Sequence, residues 1–118
     1  MPNHDSGVYQ TAALVLLAVS YSVSYTHEIA PILRQHCVHC HGQDGVASNG
    51  LDLRSYKSLR QGGNIGDDVV PGRPDASVLM HFIEGRRGQE HRMPLHRRPL
   101  TTAQIELIRR WIMEGARP

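Results

Sequence analysis

Residues 37–41 read Cys-Val-His-Cys-His, and these hold the only two cysteines of the chain. Thiols three positions apart cannot staple distant parts of a fold, so a disulfide framework is excluded and the pair must serve local chemistry. Three chemistries use such a pair. Thiol–disulfide exchange of the thioredoxin kind needs a βαβ setting. A zinc site would need further ligands from His36, His39 or His41, or a second ligand pair at fixed distance, and His81, His91 and His96 lack that spacing. In the third chemistry each sulfur adds to one vinyl group of a porphyrin. Two intervening residues in a helical turn set both sulfurs along one porphyrin edge, and the next residue, His41, projects its imidazole to the iron. That reading uses Cys37, Cys40 and His41 together and predicts one covalently bound haem c.

A haem iron held by His41 leaves its opposite face for a sixth ligand. Of the four methionines, Met1 is the initiator, Met80 and Met113 fall in helical segments, and Met93 precedes Pro94 in a polar stretch where a thioether has no core to join. A loop-borne Met stiffened by proline suits a distal ligand. His91 and His96 are the rivals, and they would give bis-His ligation with a lower potential. Arg86, Arg87, Arg92, Arg97 and Arg98 surround Met93, opposed by Glu90. Such a rim would steer an acidic partner or neutralise haem propionates, or it is simply a solvated loop.

These residues need elements to position them. Ile29, Ile32 and Leu33 share one helical face, predicting a helix over 27–36 that starts close to Ala30, because Pro31 is tolerated only in a first turn. Gly42, Gly45, Gly50 and their polar neighbours read as loop. Ser55 is placed to cap a short helix over 56–61, stopped by Gly62-Gly63, and 64–72 reads as loop with Val69-Val70-Pro71 turned inward. A helix is expected over about 75–84, with Val78/Phe82 and Leu79/Ile83 as its buried pairs and Gly85 as its stop. Residues 86–100 read as irregular. Thr101 or Thr102 caps a last helix whose apolar face carries Ile105, Leu107, Ile108, Trp111 and Ile112, ending at Gly115. No stretch alternates long enough for a sheet, so the fold class is all-α with long loops.

Ala12 to Val19 is an uninterrupted apolar run, too short to span a bilayer. It fits a secretory signal peptide with cleavage after Ser20, Ser22 or Ser24, although no Lys or Arg precedes it. An uncleaved membrane anchor or an ordinary helix are the alternatives. The expected division is therefore 1–24 leader and 25–118 domain. With 118 residues, one Phe, one Trp and a net charge of +2, the domain has little with which to fill a core, and its charge alone implies neither nucleic-acid nor membrane binding. A haem would supply the missing apolar mass.

Several segments together resemble a class I cytochrome c domain, more narrowly the type common in planctomycetes. They are Ile29-Ala30-Pro31-Ile32-Leu33, Cys37 to Gly42, Gly50-Leu51-Asp52-Leu53, Val70 to Pro74, Ser77-Val78-Leu79, Arg92-Met93-Pro94, Leu100-Thr101 and Ile105 to Gly115. The resemblance implies three main helices around one haem, with the first and last crossing. By position it makes Cys37 and Cys40 the thioether attachments, His41 the proximal and Met93 the distal ligand, and Leu51, Leu53, Pro71 and Trp111 haem-packing residues. After Pro94 the chain departs from the pattern, with Leu95-His96-Arg97-Arg98 in place of a second proline. Bacterial members acquire haem outside the cytoplasm, so a periplasmic or otherwise exported protein is implied.

The expected function is single-electron transfer between redox protein partners, a dehydrogenase or respiratory complex among them. No paired carboxylates or nucleophile–base arrangement argues for an enzyme. The alternatives are a haem-based small-ligand sensor or peroxidase-like enzyme, if the distal position is open or labile, and a haem-free metal or thiol module.

Overall fold

The computed structural model describes residues 22–38, 40–42 and 50–118. The expected leader lies outside the described residues except for its last three positions, as do His39 and most of the loop expected over 42–50. Chain packing reaches back to Val23, which is buried and whose N–H donates to Glu114 Oε1 at 2.8 Å. That is two residues ahead of the boundary expected at Tyr25.

The first helical segment is longer than the sequence pattern predicts. A π-helical turn, Tyr25–Ile29, precedes helix α1 (Ala30–His36). Ser24 starts it, its hydroxyl accepting the His27 N–H at 3.1 Å, and Pro31 sits in the first turn of α1, where no helical N–H is lost. Helix α2 (Tyr56–Gln61) begins at Ser55 with a reciprocal capping box to Ser58 and ends at Gly62, as expected. The helix expected over 75–84 divides into a 3₁₀ turn, Pro74–Ala76, and helix α3 (Val78–Ile83). Ser77 divides them: its backbone is extended, and its buried hydroxyl accepts the Val70 N–H and donates to the Arg73 carbonyl, both at 2.9 Å. Helix α4 (Thr102–Met113) is capped by Thr101 and Gln104 in a second capping box. No strand occurs among the described residues; Gly63 and Gly66 form an isolated bridge.

Ile29 and Leu33, Leu59, Leu79, Met80 and Ile83, and Ile108, Trp111 and Ile112 make one continuous core. One end is aromatic. Tyr25 lies 5.3 Å from Tyr56 and 5.6 Å from Trp111, ring centre to ring centre. The Tyr56 hydroxyl donates to the Ala116 carbonyl at 2.7 Å and the Trp111 indole N–H to the Arg117 carbonyl at 2.9 Å, so the C-terminal turn closes over the rings. On the outside, Arg109 pairs with Glu84 and Asp75, and Arg86 joins the same carboxylates, tying α3 to α4. These exposed pairs fix orientation more than they add stability.

Candidate functional site

The opposite end of the core is not filled by the described side chains. A cleft of about 330 Å³ opens between the 37–41 turn, residues 51–53, α3 and the loop around Met93. Its wall is mostly apolar: Leu51 and Leu53 on one side, Val78 and Phe82 on another, Met93 and Pro94 at the mouth. All four apolar residues of α3 line the cleft, Leu79 and Ile83 from buried positions they share with the core and Val78 and Phe82 from half-buried ones.

The 37–41 turn continues from α1. Cys37 N–H donates to the Leu33 carbonyl at 2.9 Å and His41 N–H to the Cys37 carbonyl at 3.0 Å, which keeps the segment helical enough to bring Cys37, Cys40 and His41 to the same cleft. Residues 51–53 clamp it. Leu53 N–H donates to the His41 carbonyl at 2.7 Å, and His41 Nδ1 lies 3.3 Å from the Leu51 carbonyl oxygen. A carbonyl only accepts, so this contact selects the tautomer protonated at Nδ1 and leaves the Nε2 lone pair free for a metal. Gly42, at φ +142°, is pressed so closely by the Arg54 and Asp52 side chains that a Cβ would stand 2.5 Å from Arg54 Cγ. The glycine lets the clamp close.

The thiols are free and unlike. Cys40 is exposed, while Cys37 is buried and its thiol is pushed up to about 12, first by loss of hydration and then by the nearby Asp68 carboxylate. A thiol held so far from ionisation is a poor exchange nucleophile. The absence of a strand among the described residues also removes the setting of a thioredoxin-like pair. No group of three or more metal-binding side chains is assembled among the described residues. The donor set instead fits haem. Two sulfurs and an oriented imidazole stand along one apolar slot, with a thioether across its mouth.

Met93 is held at that mouth by its own backbone, N–H to the Phe82 carbonyl at 3.1 Å, and the Met93–Pro94 peptide is cis. Its rivals stand elsewhere. His91 and His96 are exposed and do not line the cleft. Of the arginines around Met93, Arg97 lines the cleft, Arg86 is committed to Asp75 and Glu84, Arg87 lies over the Phe82 ring and Arg92 bonds Gln89. The rim expected there is therefore partly tied down.

Two expected haem-packing residues are not at the cleft. Trp111 is buried in the aromatic cluster, because Tyr25 and Tyr56 offer it ring faces and the Arg117 carbonyl takes its N–H. Pro71 is exposed, as the leading central residue of a turn closed by the Arg73 N–H on the Val70 carbonyl at 2.9 Å. Gly72 follows at φ +79°, as a type II turn requires, and its N–H is anchored on the Ile112 carbonyl. Conversely, sequence reasoning missed α3 as a wall of the cleft, although Val78/Phe82 and Leu79/Ile83 together make an apolar surface broad enough to serve both core and cleft. It also missed Asp68.

Residues 37–94 match the family model described as Planctomycete cytochrome C. Comparison with curated proteins and with solved structures gives no match.

Proposed function

Since this chain carries a planctomycete-type cytochrome c domain, we propose that it is a monohaem electron carrier with His41 and Met93 as axial ligands, and not an enzyme. The observation that carries this reading is the convergence of four side chains on one cleft: Cys37, Cys40, His41 with its Nδ1 on the Leu51 carbonyl, and Met93. Bound there, haem supplies an iron that cycles between two oxidation states. Cys37 and Cys40 hold it through thioethers. The Leu51 carbonyl fixes the orientation of the His41 ring, and Met93, set by its backbone bond to Phe82, would supply the second protein ligand. Leu51, Leu53, Val78 and Phe82 exclude water, which favours a high potential together with the Met ligand.

With His41 and Met93 as its ligands, the iron would keep no coordination site for a substrate. The first and last helices, the π-extended α1 and α4, would complete the three-helix class I arrangement with α3. Export follows from the same chemistry, with the Ala12–Val19 run as leader. Partners would be redox proteins, with Arg97 at the cleft mouth as a cationic contact for an acidic one. No described helix is long and apolar enough to cross a membrane. The test is optical. Matured protein should show the weak near-infrared sulfur-to-iron band when oxidised, and Met93→Ala should lose it while keeping its helical content. Unchanged ligation in Met93→Ala would transfer the distal role to another residue.

A further inference from the structure

We infer that Asp68 is a proton site coupled to electron transfer, so that the chain takes up a proton on reduction and releases it on oxidation. The inference rests on the haem reading above. Asp68 is 3 % exposed, lines the cleft, and its Oδ2 is buried with no hydrogen-bond partner. Its backbone is fixed, the carbonyl accepting the Leu79 N–H at 2.9 Å at the start of α3, which fixes where its side chain leaves the main chain. An unpartnered buried carboxyl is costly, and a neutral Asp68 is the cheaper form in this wall. Burial accordingly pushes it up to about 7, where a single nearby charge decides its protonation.

The ionisable groups on the elements around it leave Asp68 exposed to the iron's charge. Cys37 and Cys40 of the attachment turn cease to titrate once they are thioethers, and His41 is committed to the metal. Asp67 beside it is exposed, and His81 on α3 faces away, its Nε2 2.6 Å from the Asp75 carbonyl oxygen. His36 and Arg97 lie on the same cleft wall, His36 with its Nε2 3.5 Å from Gln104 Nε2. Among the described residues no cation is paired with the carboxylate to hold it ionised.

The coupled step balances simply. One electron from the reductant partner reduces ferric iron to ferrous, and one proton from water binds Asp68 Oδ2. On oxidation both leave. The ferric state carries one more positive charge, which favours the carboxylate; the ferrous state favours the acid. Proton affinity is therefore higher in the reduced protein, and the reduction potential falls as pH rises through the neutral range. A tenfold difference in affinity between the two oxidation states corresponds to about 59 mV between the acid and alkaline plateaus.

The experiment is a potentiometric titration of the haem-loaded protein from pH 5 to 9, beside Asp68→Asn and His36→Gln. Covalent haem content is measured in each sample. The expected result is a potential that falls with pH in the wild type and in His36→Gln, and a flat one near the acid plateau in Asp68→Asn, whose amide mimics the neutral acid. A flat wild-type profile, or the same slope in Asp68→Asn, overturns the inference and leaves the haem reading intact. In the second case the proton belongs to His36 or a propionate. Absence of covalent haem overturns both. Should Asp68→Asn fail to fold, the wild type decides by redox difference infrared spectroscopy. A protonated-carboxyl band that grows on reduction and shifts in heavy water supports Asp68, and its absence refutes it.

Discussion

Around Trp111 the described side chains fill the interior, and around Cys37 they leave it open. At the aromatic end, Tyr25, Tyr56 and Trp111 contact one another, and the hydroxyl and indole N–H end on carbonyls of the C-terminal turn. At the cleft end, Leu51, Leu53, Val78 and Phe82 wall a space that no described side chain occupies, and the carboxyl of Asp68 is buried there without a partner on Oδ2. The two ends belong to one core and draw on the same few helices. The difference teaches that packing is complete where the chain supplies both surfaces, and open where a second, non-protein surface is due.

Mutations at the two ends should therefore fail differently. Trp111→Ala removes the largest buried side chain of the closed end and should cost about 3–5 kcal/mol in denaturant unfolding. The haem spectrum of the folded fraction should be unchanged. A shifted spectrum at unaltered stability would place Trp111 against the haem after all.

Asp68→Asn should have a smaller and opposite effect. The folded carboxyl titrates at about 7 against an ordinary value of 3.8, so between these values the unfolded chain is ionised and the folded one is not. Stability from this group is fully present below about pH 4 and is lost as pH rises through about 7, at most about 4 kcal/mol at 1.36 kcal/mol per unit. Guanidinium unfolding at pH 5 and pH 8 should show the loss in wild type and little of it in Asp68→Asn. Equal pH dependence in the two proteins would mean that the carboxyl finds a partner. The smallest effect is expected at Thr101→Ala, which removes one cap of α4 and should cost about 1 kcal/mol at either pH with no change at the cleft.

How far the sequence could be read follows the same division. Helices α2 and α4 were legible because Ser55 and Thr101 are local signals, each answered three residues later by Ser58 and Gln104. The residues of the cleft turn were legible for the same reason, their chemistry being written in five consecutive positions. Trp111 was misplaced because its partners, Tyr25 and Tyr56, are distant in the chain and nothing local announces them. The break at Ser77 depends on a hydroxyl bridging Val70 and Arg73, a tertiary contact that leaves the 3.6-residue pattern intact. Asp68 was invisible in an Asp-Asp pair within a glycine-rich stretch, which reads as solvated loop. Its burial is set by the Leu79 N–H on its carbonyl and by the cleft itself.

The central claim is that the open end is built for a covalently attached haem. Its most direct measurement is the haem content of the matured chain after full denaturation, by haem-stained gel and intact mass, for wild type and Cys37→Ala/Cys40→Ala. One haem retained per wild-type chain and none on the double variant is the result predicted. A wild-type chain that matures without haem, or whose haem is washed out by denaturant, would contradict it.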